Sequence, residues 1–311
     1  MVYIKLEENM DKFMVKNNLP KTIKKISFKS KCRNGKFKIE KVGDTDYIIL
    51  PACNDKTLKK LENIANIRCW KNVCASDNLR EEKSFVKFAK ENNLKIMDGK
   101  WLFKNMTDQV LEYLVIAKNE VLVNQEVSIL CNQLDETIVE KIKEICVKVK
   151  ICNVLTNQTK QFQKLEEEIY QTNGIVLNIS KNYKRALTKS NILINFDFSK
   201  KEIEKCVFPK NVYFINVEKN MKFDSKEWNE KNIIFYGIDM PEKYVEYLEI
   251  LDGFNSSILY ESFIYKKTSY RNIKKELIED DAKILYLKDS NQKLLTNPNL
   301  NLPKTLDKMT I

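Results

Sequence analysis

The stretch 126–198 most constrains the fold, because short apolar strands alternate there with helical segments and almost no connecting residues. The strands predicted from this pattern are 127–131, 151–155, 174–179 and 192–196, and the helices between them are 135–149, 160–172 and 183–189. Strands that alternate with helices in this way form right-handed crossovers and a parallel sheet. The sequence therefore predicts an α/β fold.

The length of the chain predicts two domains, because 311 residues is about twice the common domain size. Residues 1–104 are predicted to form an irregular α/β domain that carries a basic β-hairpin. Residues 105–288 are predicted to form the parallel-sheet domain, with further strands at 212–217, 233–236 and 284–287. Residues 289–311, which are rich in Asn and Lys, are predicted to be a polar tail.

The composition excludes several kinds of catalytic site, because the chain contains no histidine. Ser-His-Asp and Cys-His catalysis, imidazole metal ligation and histidine general bases are excluded together. The eight cysteines include no CxxC pair, and the nearest spacing joins Cys69 to Cys74. We therefore expect reduced cysteines and no metal site.

The sequence shows neither a membrane-spanning segment nor a signal peptide, and these two observations bear on where the protein is located. The apolar stretches 110–117 and 121–131 are interrupted by Lys118, Asn119, Glu120 and Glu126, which argues against a membrane span. The first residues carry acids where a signal peptide would have an apolar core. We expect a cytoplasmic protein.

The net charge of +11 raises the question of nucleic-acid binding, although only five of the 54 basic residues are Arg. Residues 1–60 hold 15 basic and 7 acidic residues, which accounts for +8 of the total. Within them, apolar residues alternate with basic ones on both sides of Asn34-Gly35, and this pattern predicts a β-hairpin. Its basic face would consist of Lys29, Lys31, Arg33, Lys36 and Lys38.

That basic face could follow a phosphate backbone, with Phe28 or Phe37 available for stacking. Alternation along a strand places the aromatic rings on the face opposite the lysines. This favours a solvated face over a nucleic-acid site, so nucleic-acid binding through the hairpin is kept as an alternative.

The turn after the first strand of the parallel sheet lacks the glycines of a pyrophosphate-binding loop. It reads Cys131-Asn132-Gln133-Leu134-Asp135-Glu136, where a GxGxxG motif would let a phosphate approach the helix N-terminus. Asp135 has an adequate structural role as the helix N-cap, and its charge would oppose a phosphate. Cys131 lies where a ligand would bind, but no fixed base accompanies it that would make it a nucleophile.

The end of the second strand, Leu155-Thr156-Asn157-Gln158-Thr159-Lys160, resembles the Rossmann domain of the shikimate dehydrogenase and glutamyl-tRNA reductase superfamily. That family commonly has Asn-Arg-Thr at this turn, where it holds the extra phosphate of NADP. Asn157 and Thr159 match, Gln158 replaces the arginine, and Lys160 would substitute in part. Asn195 resembles the Asn that closes a strand beneath the cofactor. The family's Asn-Val-Thr-x-Pro-x-Lys motif, which carries its catalytic Lys, is absent.

These observations predict a two-domain α/β protein whose second domain is a Rossmann-like parallel sheet with a degenerate dinucleotide loop. We expect a non-catalytic role in binding or scaffolding, with no cofactor and with the protein partner left open. The alternative implied by the resemblance is an NADP-dependent oxidoreductase that binds NADP(H) through Asn157, Thr159, Lys160 and Asn195.

Overall fold

The computed structural model describes residues 1–14, 20–182, 187–217, 221–268 and 273–296. The chain separates into two compact units, and each is discontinuous in sequence. The first unit consists of Met1–Gly99 and Met240–Asp281, and the second consists of Lys100–Asp239 and Ala282–Ile311.

This division differs from the predicted one, which assigned 105–288 to the second domain. The segment Met240–Asp281 groups with the first unit. Two contacts join this segment to the first: the hydroxyls of Tyr3 and Ser262 lie 3.1 Å apart, and the Asp77 N–H donates to the Gly253 carbonyl over 3.1 Å. The predicted division follows the order of the chain, which does not specify the sheet against which a later segment packs.

The first unit is built on a five-stranded sheet in the order β2-β3-β1-β4-β5. Strand β1 pairs in parallel with β3 and β4, and β2 is antiparallel to β3. The elements of its first segment are β1 (Val2–Leu6), α1 (Met10–Phe13), α2 (Lys21–Asn34), β2 (Lys38–Val42), β3 (Thr45–Leu50), α3 (Asp55–Ile67), β4 (Asn72–Ala75), α4 (Asp77–Glu81), α5 (Lys83–Glu91) and β5 (Lys95–Ile96).

The predicted hairpin around Asn34-Gly35 is wrong, because residues 21–34 form helix α2. Gly35 has the positive φ that a hairpin turn would require, but it uses this conformation to end the helix, where its N–H and that of Lys36 bond the Cys32 and Lys31 carbonyls. The antiparallel hairpin lies further along the chain, where β2 and β3 are joined by a turn at Gly43. A glycine with positive φ is suited both to a hairpin turn and to the end of a helix, so the Asn34-Gly35 pair alone does not distinguish between them.

The second unit is built on an eight-stranded sheet in the order β13-β12-β11-β10-β9-β6-β7-β8. Its elements up to the end of β11 are α6 (Lys100–Asn105), α7 (Thr107–Ala117), β6 (Glu126–Leu130), α8 (Glu136–Cys146), β7 (Ile151–Leu155), α9 (Thr159–Asn173), β8 (Asn178–Ser180), β9 (Ile192–Asn195), α10 (Lys200–Ile203), β10 (Tyr213–Asn216), α11 (Lys226–Glu230) and β11 (Asn232–Asp239). The helix predicted at 183–189 includes residues 183–186, which lie outside the described ones.

The six strands from β6 to β11 pair in parallel in the order β8-β7-β6-β9-β10-β11. Numbered from β6, this order is 3-2-1-4-5-6, the order of a Rossmann fold. The second unit is therefore a Rossmann-like parallel sheet, as predicted. Its buried core on one side includes Leu130, Leu155, Leu193 and Phe214.

After β11 the chain forms three helices of the first unit and then returns to the second sheet. These elements are α12 (Glu242–Ile250), α13 (Ser256–Lys267), α14 (Ile273–Glu279), β12 (Lys283–Asp289) and β13 (Leu294–Leu295). Strand β12 is antiparallel to β11, so it closes one edge of the parallel sheet. Among the described residues, none of the helices combines the length and the apolar character that crossing a membrane requires.

Candidate functional site

The candidate site is the crevice at the carboxyl ends of β6 and β9, because the strand order reverses between these two neighbours. In open α/β sheets, ligands bind in this position. The crevice is formed by the turn 131–135, which leads from β6 into α8, and by the turn 196–199, which leads from β9 into α10.

The first turn is closed by a carboxylate from the second. Asp197 accepts hydrogen bonds from the backbone N–H of Asn132, at 2.8 and 2.9 Å from its two oxygens, and from the N–H of Gln133 at 2.7 Å. In a dinucleotide-binding fold, backbone N–H groups of this turn approach the pyrophosphate. Here an internal anion already holds two of them.

The side chain of Asn132 connects this turn to two other parts of the edge. Its Oδ1 accepts a hydrogen bond from the Asn157 N–H at 2.8 Å, and its Nδ2 donates to Glu202 Oε1 at 3.3 Å. Glu202 in turn accepts hydrogen bonds from the N–H and hydroxyl of Ser199, at 2.8 and 2.7 Å. The loops after β6, β7 and β9 are therefore tied into one polar network.

Two carboxylates, Asp197 and Asp135, lie at the turn from β6 into α8. Burial raises the pKa of Asp197, and the hydrogen bonds from Gln133 and Asn132 only partly oppose this effect. Asp135 caps α8 by accepting from the Ile138 N–H at 2.9 Å, and it forms an ion pair with Lys104. The positive end of the α8 dipole therefore faces the protein's own carboxylate.

The thiol of Cys131 is fully buried at the end of β6. Burial raises its pKa well above the ordinary value, and the nearby charge of Asp197 adds to this. A cysteine with a raised pKa carries little thiolate, which is the nucleophilic form. The environment of Cys131 is that of a buried apolar side chain.

The predicted cofactor residues Asn157, Thr159 and Lys160 lie at the turn from β7 into α9. Asn157 and Lys160 are exposed, and Thr159 is half-buried. The Asn157 N–H bonds Asn132, so this turn is adjacent to the first one. These three residues are thus close to the candidate crevice, on its β7 side.

Asn195, the fourth predicted cofactor residue, is fully buried at the end of β9. Its Nδ2 donates to the Phe198 carbonyl and to Asn216 Oδ1, both at 3.0 Å, and its Oδ1 accepts from the Phe198 N–H at 2.8 Å. The amide therefore shapes the turn that presents Asp197 and makes all three contacts inside the protein.

The predicted nucleic-acid residues lie in the first unit, on helix α2 and just after it. Lys29, Arg33 and Lys36 are exposed. Lys31 and Lys38 instead lie over the ring of Phe13, with their Nζ atoms 5.6 and 4.8 Å from its centroid. The five cations predicted to share one face are therefore divided between an outward and an inward side.

Asp197, Asn132 and Glu202 were missed as site residues by sequence reasoning. Asp197 lies two residues beyond the Asn that ends β9, and an acid directly after a buried strand of a parallel sheet was the available signal. Its partner Asn132 is 65 residues away, so the contact depends on the pairing of β6 with β9.

A cavity of about 450 Å³ lies at the opposite edge of the same sheet, among residues that precede the strands. Two of its three lysines have acidic partners: Lys118 Nζ lies 2.8 Å from Glu120, and Lys231 donates to Glu227 over 2.9 Å. No cluster of three or more Cys, Asp or Glu residues suited to a metal ion occurs in the described part of the chain. All eight cysteines, which lie within it, are free.

Comparisons with known proteins give only distant likenesses. No protein family model matches the chain. No curated protein matches it either. Among solved structures, it is similar to dipicolinate synthase A chain from Bacillus subtilis, with 12% identity and a TM-score of 0.31 over 46% of this chain and 48% of that one.

Two further solved structures are similar to this chain to about the same degree. L-tryptophan dehydrogenase from Nostoc punctiforme has 8% identity and a TM-score of 0.29 over 69% of this chain and 62% of that one. A putative D-3-phosphoglycerate dehydrogenase from Ralstonia solanacearum has 8% identity and a TM-score of 0.33 over 72% and 75%. The matched part spans about half the length of the first of these three proteins. Likenesses of this size assign neither a family nor a function.

Proposed function

We propose that this chain is a non-catalytic binding or scaffolding protein whose Rossmann-like unit acts without a dinucleotide. The proposal is supported by one observation above the others: the Asp197 carboxylate accepts hydrogen bonds from the Asn132 and Gln133 N–H groups. A pyrophosphate at this turn would have to displace Asp197, and it would then meet the charge of Asp135 as well.

The chemistry of the crevice supports the same proposal. Cys131 is buried with a raised pKa, so it carries little of the nucleophilic thiolate. Asn195 makes its hydrogen bonds to Phe198 and Asn216 inside the protein. The crevice instead presents a set of loops that are joined through hydrogen bonds of the Asn132 side chain, and in our proposal this surface binds a protein partner.

The competing function is an NADP-dependent oxidoreductase resembling shikimate dehydrogenase. Its support is the position of Asn157, Thr159 and Lys160, which lie beside the crevice at the turn after β7. In this alternative they would contact the adenosine phosphate, and Asp197 would move when the cofactor binds. The two functions differ in whether a dinucleotide stabilises the native protein.

The test is the thermal unfolding of the purified protein with and without millimolar NADPH or NADH. We expect no shift with either. A ligand present at a hundred times its Kd would add about 2.7 kcal/mol, which corresponds to a few degrees for a chain of this size.

Two variants make the outcome specific to the site. Asn157→Asp would place a negative charge against the extra phosphate of NADP. Asn173→Asp introduces the same charge at an exposed position at the other end of α9. An NADPH-dependent shift that Asn157→Asp abolishes and Asn173→Asp preserves would establish NADPH binding at this site, which favours the oxidoreductase and overturns the proposal of a protein that acts without a dinucleotide.

A further inference from the structure

Helix α2 carries an unusually one-sided charge. Residues 21–34 contain six basic residues and no acidic one. Four of the cations, Lys21, Lys25, Lys29 and Arg33, are spaced by four residues, so they form a single row along the helix. All four are exposed. We refer to these four residues as the basic row, and it runs for about 18 Å at 1.5 Å per residue.

The basic row is electrostatically unfavourable for the isolated protein. Like charges four residues apart on a helix repel one another, and the row contains three such neighbouring pairs. Lys21 also lies in the first turn, at the positive end of the helix dipole, where an acid would be stabilising. None of the ion pairs found among the described residues includes a member of the row. An anionic partner would relieve this repulsion.

The other side of α2 shows that the row is an outward surface. Phe28 packs against Phe13 with ring centroids 5.5 Å apart, and Lys31 covers the same ring. Gly35 ends the helix in close contact with the start of α3, since a Cβ there would lie 2.7 Å from Thr57 N. The helix is thus held in place by its inner face while the row faces away.

We propose that the basic row binds the phosphate backbone of double-stranded nucleic acid without reading its sequence. The row consists of three lysines, which contact phosphates as point charges, and one arginine, whose planar guanidinium can bind a phosphate through two N–H groups. The basic row, at about 18 Å, would extend along about five base steps of 3.4 Å each. Binding through this helix does not depend on whether the crevice of the second unit accepts a dinucleotide.

The same surface argues against two other polyanions. Single-stranded nucleic acid is bound by stacking on exposed aromatic rings, and the aromatic ring of α2, Phe28, is turned onto Phe13. An interfacial membrane helix needs a broad apolar face, whereas the exposed apolar residues of α2 are Ile23 and Ile26 alone. A duplex requires neither feature.

The test is binding of the full chain to a fluorescently labelled 25-base-pair duplex, measured by anisotropy between 25 and 200 mM salt. The logarithm of the association constant should fall linearly with the logarithm of salt concentration, with a slope of about −3 to −4 for four phosphate contacts on B-DNA. Labelled single strands and vesicles rich in phosphatidylserine are measured in parallel.

The variant Lys25→Glu with Lys29→Glu should weaken duplex binding at least tenfold and reduce the slope by about 2. Its matched control is Lys164→Glu with Lys226→Glu, which makes the same change in net charge at exposed lysines of the second unit. Lys25→Ala with Lys29→Ala is a second test variant; it removes repulsion, so it should weaken binding while leaving the thermal unfolding temperature equal or higher.

Three results would overturn the proposal. One is equal loss of binding in the row variant and in the control, which would show that net charge alone attracts the duplex. Another is tighter binding to single strands or to vesicles than to the duplex. The last is the absence of duplex binding at 25 mM salt.

Discussion

Asp197 accepts a hydrogen bond from the backbone N–H of Gln133 at 2.7 Å, and it also accepts one from the N–H of Asn132. An acid that follows the fourth strand of the parallel sheet thereby closes the turn that follows the first. The contact joins the two sides of the switch point, which in a dinucleotide-binding protein would be separated by a ligand.

The variant Asp197→Ala should lower the free energy of unfolding by about 1–3 kcal/mol at pH 7. Two backbone N–H groups would lose their acceptor, and an unmet donor at a partly buried position is costly. Urea unfolding measures the change. Asp224→Ala serves as the control, because Asp224 is 91% exposed and only pairs with Lys200; it should change the value by less than about 1 kcal/mol. Equal effects would show that the Asp197 contacts contribute nothing specific.

A second prediction concerns the ion pairs of Asp108 on helix α7. Lys141 Nζ lies 2.8 Å from this carboxylate and Lys148 Nζ lies 3.4 Å from it. Burial acts to raise the pKa of Asp108, but the two lysines outweigh it and hold the pKa below the usual value. Because the folded pKa is depressed, the carboxylate stabilises the protein above about pH 4, and this contribution is lost as pH falls further.

Asp108→Asn should therefore destabilise the protein by about 3 kcal/mol at pH 7, since Lys141 is buried and would lose one of its partners. The difference from the unsubstituted chain should shrink as pH falls below about 4. Thermal unfolding across pH 3 to 7 measures both. Glu168→Gln, which breaks an exposed pair with Lys143, should cost less than about 1 kcal/mol over the same range. A difference for Asp108→Asn that is independent of pH would contradict this account.

Local sequence signals predicted most elements of the second unit. The strand 151–155 has the predicted bounds, and Asp135 is the N-cap of α8 as expected. These features depend on residues close in sequence: an apolar run between polar turns, and a side chain that bonds the N–H three residues later.

The parts that could not be predicted depend on distant pairing. Asp197 meets Asn132 only because β6 and β9 are neighbours in register, and no local pattern specifies that register. Asn195 is a predicted cofactor residue only through its resemblance to the Asn that closes a strand in the shikimate dehydrogenase superfamily, and its hydrogen bond to Asn216 depends on the pairing of β9 with β10. Assignment of Met240–Asp281 to the first unit likewise depends on contacts across the chain.

The misidentified hairpin leads to a third prediction, on two glycines that share a left-handed conformation. Gly35 ends α2 with φ +59°, and Gly43 forms the turn between β2 and β3 with φ +56°. An added Cβ would lie 2.7 Å from Thr57 N at position 35, whereas it would meet no atom within 4 Å at position 43.

Gly43→Ala should therefore cost about 1 kcal/mol, which is the strain of a left-handed alanine alone. Gly35→Ala carries the same strain and also forces α2 away from the start of α3, so it should cost at least about 1 kcal/mol more. Urea unfolding of the two variants gives the difference directly, because their backbone strain is matched. Equal losses would mean that α2 does not lie against α3 as the contact at Gly35 requires, and the outward position of Lys25, Lys29 and Arg33 would lose its support.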